Sequence, residues 1–459
     1  MQKQQLVIIF QQSFRSTYIL SCYFTNGAQN RSGLARYLPE DINPFVCTHL
    51  IYAFAVIDED NEVVTTMKND VDLYKTFNGH KKRNKNLKTL LAIGGWNFGS
   101  VSFTRMVSTE TTRRTFINSV VNFLRHHHFD GLELAWLYPV VPGNPPENRE
   151  LYSRLVEELK AAFTIEAEET RKPTLLLSAA VAAGKQRIDD SYEVPVIAKY
   201  LDFISVMTFD FNGPWNSFTG HSTPLHRRKS EEGDFMYFNI EFVMKYLKGK
   251  GVPGGKLLVG IATYGRSFNL STSNSDVGAP ISGPGPASEF TNIPGIVSNF
   301  EICDFLKGAQ YFWIEEQEVP YAVKDNIWLG YDNLQSIFHK VLWLKEHNLG
   351  GVFVWTLDFD DLHGHCKEQL PLLKYLQLLL STASGQGSLD KIRMQQHQAM
   401  SSKRFQDNIK PNVTLPTPVV HLICNQASYL KVICVAIDEI NNKSILIKDG
   451  LPEMVLLKS

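Results

Sequence analysis

The chain carries almost no net charge and contains no long apolar run. Its 46 Lys and Arg residues nearly balance 47 Asp and Glu residues, so the formal net charge is −1. A protein whose main partner is nucleic acid normally has a basic excess, so this balance argues against that class. No apolar run approaches the roughly 18 residues that a membrane-spanning helix needs. We therefore expect a globular protein with no membrane span and no nucleic-acid partner.

Cysteines are also few, and no CxxC pair occurs. The 6 cysteines are widely spaced, which suits disulfides better than zinc ligation. The apolar run Leu6–Phe10 is shorter than the roughly 7–15 residue core of a secretory signal. Residues 1–17 are therefore interpreted as an N-terminal segment with an imperfect signal region. The cysteines, together with N-x-S/T sequons, still favour a secreted, extracellular protein. The glycosylation candidates are Asn30, Asn269, Asn412 and Asn442.

Short apolar, β-branched runs alternate with longer amphipathic stretches through the first 380 residues. This alternation is typical of an α/β fold, and eight such runs predict a parallel (β/α)₈ TIM barrel. A doubly wound open sheet is the alternative, but no Gly-x-Gly-x-x-Gly loop follows the first run. The predicted strands are Tyr18–Phe24, His49–Ala55, Leu87–Ile93, Gly131–Trp136, Thr174–Ala180, Phe203–Met207, Lys256–Ile261 and Gly351–Trp355.

The last two predicted strands are separated by about 95 residues, far more than one βα unit occupies. We expect a small α+β insertion at about residues 266–335, between strands 7 and 8 of a barrel that spans residues 18–380. Residues 381–459 begin as a polar, Gly/Ser/Gln-rich linker and continue as a tail whose role the sequence does not predict. Cys424 and Cys434 are a candidate disulfide pair within that tail.

Aromatic side chains stand at the predicted carboxyl ends of the strands, where TIM barrels carry their sites. Aromatic rings stack on the apolar faces of sugar rings, while amides and charged groups bind hydroxyls. A single tryptophan there is as often rim packing, but three on one face favour binding. The pattern predicts an oligosaccharide cleft, with Asn26 near its edge. The candidate binding residues are Tyr23, Phe54, Trp96, Asn97, Tyr138, Met207, Asp210, Trp215, Tyr264, Arg266 and Trp355.

Residues 129–139 read Phe-Asp-Gly-Leu-Glu-Leu-Ala-Trp-Leu-Tyr-Pro. Side chains alternate along a strand, so Glu133, Ala135 and Leu137 share one face. A ladder of carboxylates at this spacing is how a glycosidase aims a proton donor at a sugar. Only Glu133 keeps a carboxylate here, so the ladder has lost its last two acids.

Ordered motifs recur at the strand positions. They are Cys-Tyr-Phe-Thr-Asn at 22–26, Leu-Leu-Ala-Ile-Gly-Gly-Trp-Asn-Phe-Gly at 90–99, the segment at 129–139, Met-Thr-Phe-Asp at 207–210, Pro-Tyr-Ala at 320–322, Gly-Tyr-Asp at 330–332 and Val-Trp-Thr-Leu-Asp at 354–358. Over about residues 18–380 the chain resembles glycoside hydrolase family 18, the chitinases. It is most similar to the vertebrate chitinase-like lectins, which include the chitinase-3-like proteins and the oviduct-specific glycoprotein. The resemblance implies a TIM barrel with an α+β insertion and disulfides Cys22–Cys47 and Cys303–Cys366.

The resemblance also identifies what is missing. The active family pattern is Asp-Gly-x-Asp-x-Asp-Trp-Glu-Tyr-Pro, whose Glu protonates the leaving oxygen while the substrate's N-acetyl oxygen attacks. Asp130 and Gly131 match this pattern, Glu133 and Ala135 replace its two inner Asp residues, and Leu137 replaces the Glu. Phe209 stands where the family has a Tyr that holds the acetamido group, and Gly27 where it has a stacking Trp.

We therefore expect a secreted, monomeric, catalytically inactive lectin that needs no cofactor and binds chitin oligosaccharides or related GlcNAc-containing glycans. One alternative is an extracellular protein whose sugar cleft is vestigial and which binds cell-surface proteins or heparin-like glycosaminoglycans. The basic segments 80–85 and 226–229 suggest it, because clustered positive charge attracts sulfated chains. A very weak glycosidase is a lesser alternative. No metal site is predicted, because His126–His128 point in different directions at a helix end.

Overall fold

The computed structural model describes residues 18–366 and 369–382, and the backbone alone of the segments 420–426, 432–438, 443–448 and 451–452. The chain divides into two compact units, residues 1–388 and 389–459. The predicted signal region at 1–17 lies outside the described residues.

A closed ring of parallel strands forms the centre of the first unit. The first strand, β1 (Ile19–Thr25), pairs in parallel with both β2 (His49–Ile57) and β15 (Gly351–Trp355), which joins the two ends of the sheet. This closure confirms the predicted TIM barrel and excludes the open doubly wound sheet. The strands of this sheet are β1 (Ile19–Thr25), β2 (His49–Ile57), β3 (Val63–Thr65, antiparallel to β2), β4 (Lys88–Gly94), β5 (Gly131–Ala135), β6 (Leu176–Val181), β7 (Phe203–Val206), β8 (Leu257–Ala262) and β15 (Gly351–Trp355).

The barrel interior is a packed core that includes Tyr23, Ile51, Leu90, Leu258 and Phe353. The outer faces of the strands are buried as well, which is why each strand reads as a continuous apolar run. Burying each large apolar side chain stabilises the fold by about 1.5–3 kcal/mol. The helices are α1 (Asp70–Gly79), α2 (Val101–Val107), α3 (Glu110–His126), α4 (Asn148–Thr170), α5 (Lys185–Ser191), α6 (Val194–Tyr200), α7 (Ile240–Gly249), α8 (Asn299–Phe305), α9 (Leu334–Glu346) and α10 (Pro371–Ser381).

Helix α3 shows how the outer layer is built. Thr109 caps its first turn by accepting a hydrogen bond from the backbone N–H of Thr112, and Phe116, Val120 and Leu124 form its buried face. Among the described helices, none is both long and apolar enough to cross a membrane.

A second, six-stranded sheet occupies the interval between β8 and β15, as the long spacing predicts. Its path is β10-β9-β14-β13-β12, with β11 beside β9. The disulfide Cys303–Cys366 joins α8 to the segment after β15, and Cys22–Cys47 joins β1 to the turn before β2. Both pairs are those that the family resemblance implies. The strands are β9 (Tyr264–Leu270), β10 (Ile281–Pro284), β11 (Ile296–Ser298), β12 (Gln310–Ile314), β13 (Val319–Lys324) and β14 (Ile327–Gly330).

The second unit contains a four-stranded antiparallel sheet made of β16 (Val420–Gln426), β17 (Val432–Asp438), β18 (Lys443–Lys448) and β19 (Leu451–Pro452). Its register places Cys424 opposite Cys434, but their side chains lie outside the described part of the chain, as do Asn412 and Asn442. Of the other two sequons, Asn30 is exposed, and the amide oxygen of Asn269 accepts a hydrogen bond from Asn326.

Candidate functional site

A cavity of about 980 Å³ opens at the carboxyl ends of the barrel strands. Every residue predicted from the sequence to bind carbohydrate lines it. The strands bring these side chains together because parallel strands of a barrel all end at the same face. Asn26 is the exception among the residues considered, because it is buried and its amide donates hydrogen bonds to Thr66 and Asp70 instead.

Two tryptophans present broad apolar surface at the mouth of this cleft. Trp96 is 71% exposed and Trp215 is 60% exposed. The ring of Tyr138 meets Trp96 edge-on, with 5.6 Å between the centroids. Exposed rings of this size lose contact with water only when a partner covers them, so they are suited to stacking on a ligand.

A third tryptophan, Trp355, forms part of the cleft floor. Its ring lies edge-on to Tyr23 with 5.2 Å between centroids, and 5.9 Å from the ring of Phe54. These contacts fix the orientation of the indole, so one face of the floor is rigid and aromatic.

An ion pair lies beside the Trp215 platform. Arg266 donates from Nε and Nη2 to the two carboxylate oxygens of Asp210, at 2.8 and 2.7 Å. Its guanidinium also lies 5.1 Å from the centroid of the Trp215 ring. Burial is the largest single effect and lowers the pKa of Arg266, but the hydrogen bonds and negative charge of Asp210, together with Tyr264, raise the pKa by more, so that the net shift is upward. Arg266 therefore stays charged, and its guanidinium supports the platform from one side.

The positions at which the family resemblance leads us to expect catalytic acids hold apolar side chains. Leu137 is half-buried and lines the cavity, and Ala135 is 1% exposed beneath it. Phe209 packs against Phe353 with 5.7 Å between the ring centroids. Leu137 therefore offers no proton to the cleft, Ala135 offers no carboxylate and Phe209 offers no hydroxyl.

Glu133, the remaining acid of the ladder, is fully buried and does not line the cavity. The Tyr23 hydroxyl donates to its Oε1 at 2.5 Å, and the Ser178 hydroxyl donates to its Oε2. Burial raises the pKa of Glu133, and these hydrogen bonds offset part of the rise. Its carboxylate is therefore a structural acceptor inside the barrel.

The other residues of the motif also have structural roles. Asp130 lies at the opposite end of β5, where its carboxylate accepts hydrogen bonds from Lys81 at 3.0 Å and from the Thr89 N–H at 2.8 Å. Gly131 is required by close packing, since a Cβ there would lie 2.4 Å from the carbonyl oxygen of Leu176. Trp136 points outward and stacks on Phe103 with 4.9 Å between centroids.

Several cleft residues were not predicted from the sequence. An aromatic wall of Phe211, Phe235 and Phe238 lines the cavity, and Phe211 stacks on Phe238. The long segment between β7 and α7 supplies all three. Its position after a barrel strand and its Phe-Met-Tyr-Phe run at 235–238 are signals that point to the mouth. The remaining lining residues that were not predicted are Gly94, Gly95, Val141, Ala180, Ala182, Ala183, Gly184, Arg187, Asn216 and Phe353.

Gly27 follows β1 and is not among the residues that line the cavity. A Cβ at this position would meet nothing within 4 Å. The position at which the family resemblance leads us to expect a stacking Trp is therefore open space.

Within the described ranges, the one tight cluster of metal-ligating side chains is Cys303, Asp304 and His365. The sulfur of Cys303 is bonded to Cys366, so it is not free to ligate. The cleft itself offers no comparable set.

Comparison with known proteins agrees with this geometry. Human chitinase-3-like protein 2 is 46% identical over 358 residues, which cover 78% of this chain and 90% of that protein. Mouse oviduct-specific glycoprotein is 43% identical over 384 residues, but these cover only 52% of that protein. The structure of human YKL-39, described as a pseudo-chitinase with retained chitooligosaccharide binding, superposes with a TM-score of 0.77 at 44% identity and covers 80% of this chain and 100% of that one. Residues 19–360 match glycosyl hydrolases family 18, and the chain belongs to that family.

Proposed function

We propose that this protein is a secreted lectin that binds chitin oligosaccharides or related GlcNAc-containing glycans without hydrolysing them. The observation that carries the proposal is the open aromatic cleft with Leu137 at the position of the proton donor. Human YKL-39, described as a pseudo-chitinase that retains chitooligosaccharide binding, supports it by similarity.

Hydrolysis is disfavoured by the chemistry of the cleft. Leucine has no proton to transfer, and losing a positioned general acid costs about 10²–10⁴ in rate. Glu133 cannot replace it, because its carboxylate is buried and bonded to Tyr23 and Ser178. Asp210 is held by Arg266 in a paired interaction, which suits it to bind a hydroxyl and not to donate a proton. Binding by stacking and hydrogen bonds needs none of the missing acids.

Calorimetry with chitin tetramer and hexamer tests the binding half of the proposal. We expect a saturable heat with both ligands, and its absence with both would reject the lectin function. Release of a fluorogenic leaving group from a chitobioside tests the other half. Turnover above that of buffer, proportional to protein concentration, would establish the weak glycosidase instead.

Secretion and a monomeric state are part of the same proposal. Two disulfides within the barrel unit suit an oxidising compartment. The exposed sequon at Asn30 is accessible for glycosylation. Expression in a secreting cell line, followed by enzymatic deglycosylation and light scattering, tests location, glycan and mass together.

A second candidate function is binding of heparin-like glycosaminoglycans. Lys82, Arg83 and Lys85 lie just before β4 and Lys88 is its first residue, at the amino end of the barrel and away from the cleft. All four are exposed, and in the part of the chain that the structure describes none forms an ion pair. A cluster of exposed, positively charged side chains attracts negatively charged sulfated chains. Heparin binding that survives Trp96→Ala and is lost on reversing these charges would favour this candidate.

A further inference from the structure

The cleft continues downward into a pocket that reaches the barrel core. Six residues define this deep pocket: Tyr23, Ala135, Ala180, Met207, Phe209 and Phe353. Tyr23 is 2% exposed, Ala135 1%, Ala180 4% and Phe353 1%. Met207, Phe209 and Phe353 pack in one cluster with Tyr23. The cavity is therefore not a shallow groove at this point, because it extends between side chains of the interior.

Small side chains on neighbouring strands create the space. β5 pairs with β6 in a register that places Leu134 beside Ala179, so Ala135 and Ala180 follow side by side. These two adjacent strands thus contribute methyl groups where larger side chains would fill the pocket.

The deep pocket offers no free polar side chain to a ligand. The proton of the Tyr23 hydroxyl is donated to Glu133. The other five residues that define the pocket are apolar. A ligand group that enters must therefore be apolar, because a hydroxyl or charge buried there would lose its hydrogen bonds to water without replacement.

The mouth of the cleft, by contrast with the apolar deep pocket, offers polar groups. Asn97, Asp210 and Arg187 supply hydrogen-bonding groups, and Trp96 and Trp215 supply stacking surface. A ligand that satisfies both zones has polar rings and a short apolar branch. On an amino sugar, the branch that projects from the ring is the acyl group on nitrogen.

We propose that the deep pocket selects amino-sugar oligosaccharides whose N-acyl chain is longer than acetyl, such as N-butanoyl chains. This inference rests on the proposed carbohydrate-binding function and names the ligand class of the same cleft. Ala135 is the residue that determines the selection, because its methyl group leaves room for the added methylenes. Each methylene transferred from water into an apolar pocket strengthens binding by about fourfold.

Calorimetry with two matched tetramers of β-1,4-linked glucosamine, one fully N-acetylated and one fully N-butanoylated, tests the inference. We expect the full chain to bind the N-butanoyl tetramer about sixteenfold more tightly, since one acyl chain adds two methylenes to the pocket. Ala135→Val and, separately, Ala180→Val fill the pocket from adjacent strands and should bring this ratio to one or below. Ala161→Val, the same change on the exposed face of α4, should keep the unchanged protein's ratio.

The outcomes separate the inference from the function on which it rests. If neither tetramer binds, the lectin proposal fails and the inference fails with it. If the N-acetyl tetramer binds and the N-butanoyl tetramer binds equally or more weakly, the cleft binds sugar but the acyl selection is wrong. A preference that persists in both filled variants, each shown by thermal unfolding to be folded, would place the acyl chain elsewhere and overturn the role of Ala135.

Discussion

The hydroxyl of Tyr23 donates a 2.5 Å hydrogen bond to Oε1 of Glu133 inside the barrel. Both side chains are buried, and they come from strands that are 110 residues apart in sequence. The pairing fixes the tyrosine ring at the base of the cleft, where Trp355 packs on it. The one acid left in the ladder thus positions the ring of Tyr23 beneath Trp355 and does not line the cleft.

Replacing Glu133 should reveal this buried charge through the pH dependence of stability. Burial raises the pKa of the folded-state carboxyl above 4.5, so just above that pH the folded state keeps a proton that the unfolded state has released. The contribution of Glu133 to the free energy of unfolding therefore falls as pH rises through this window. Glu133→Gln removes this loss, so in urea unfolding the stability of the variant relative to the unchanged protein should increase steadily between about pH 4 and pH 8.

Glu133→Ala is the matched control for that experiment. It leaves the hydroxyls of Tyr23 and Ser178 without their acceptor and opens a cavity, so it should destabilise the protein by about 2–4 kcal/mol at every pH. A constant difference between Glu133→Gln and the unchanged protein across the pH range would contradict the buried-charge interpretation.

Removing the Trp96 platform should weaken sugar binding without affecting the fold. The ring is 71% exposed, so Trp96→Ala costs little burial, but it removes a stacking contact of about 1 kcal/mol and should lower affinity for chitotetraose about fivefold. Calorimetry and thermal unfolding measure the two effects. Phe45→Ala removes another exposed ring, 53% exposed and at the opposite end of the barrel, and should leave affinity unchanged. Equal affinity in both variants would show that stacking does not drive binding.

The Asp210–Arg266 pair should contribute to binding through its geometry as well as its charge. Arg266→Lys keeps the charge but loses the paired donors and the planar contact with Trp215. We expect affinity for chitotetraose to fall by about 3–10-fold and stability by about 1–2 kcal/mol. Arg125→Lys is the control, because Arg125 makes a similar paired interaction with Glu166 on the outer helices. It should lower stability alone, and an equal loss of affinity there would refute the role assigned to Arg266.

Gly27→Trp should lengthen the binding surface. A side chain there has open space, and an added stacking platform is worth about 1 kcal/mol, or about fivefold in affinity. The gain should appear with chitin hexamer and be absent with chitin dimer, since only the longer ligand reaches beyond the existing cleft. Gly249→Trp, at an equally open position where α7 ends, should give no gain. Equal gains with both ligands would argue against an extended surface.

Restoring the missing groups should restore slow chemistry. The triple variant Ala135→Asp, Leu137→Glu, Phe209→Tyr returns the proton donor, its supporting carboxylate and the hydroxyl, and we expect turnover of a fluorogenic chitobioside at least about 10²-fold above that of the unchanged protein. Ala135→Asp with Leu137→Gln is the control, since an amide donates no proton. A folded triple variant that binds chitotetraose yet shows no turnover would mean that the surrounding cleft no longer supports a reactive pose.

Much of the fold was predictable because barrel strands are buried on both faces. Each predicted strand, from Tyr18–Phe24 to Gly351–Trp355, overlaps an observed one, and the long interval before β15 predicted the inserted sheet. The residues at the strand ends were predictable because a closed barrel of parallel strands places every carboxyl end at one mouth. Periodicity, spacing and the motif at 129–139 are properties of neighbouring residues, so they can be read from the sequence without the tertiary structure.

The environment of each side chain was decided only by the tertiary structure. Glu133 belongs to the same face as Leu137, yet it lies inside the core because Tyr23 and Ser178, distant in sequence, reach it there. Phe235 and Phe238 join the cleft because a long segment folds back over the mouth. The sequence by itself determined the barrel, the missing acids and the aromatic rim. Which groups are buried, paired or free depends on contacts between distant strands, and those contacts exist only once the ring has closed.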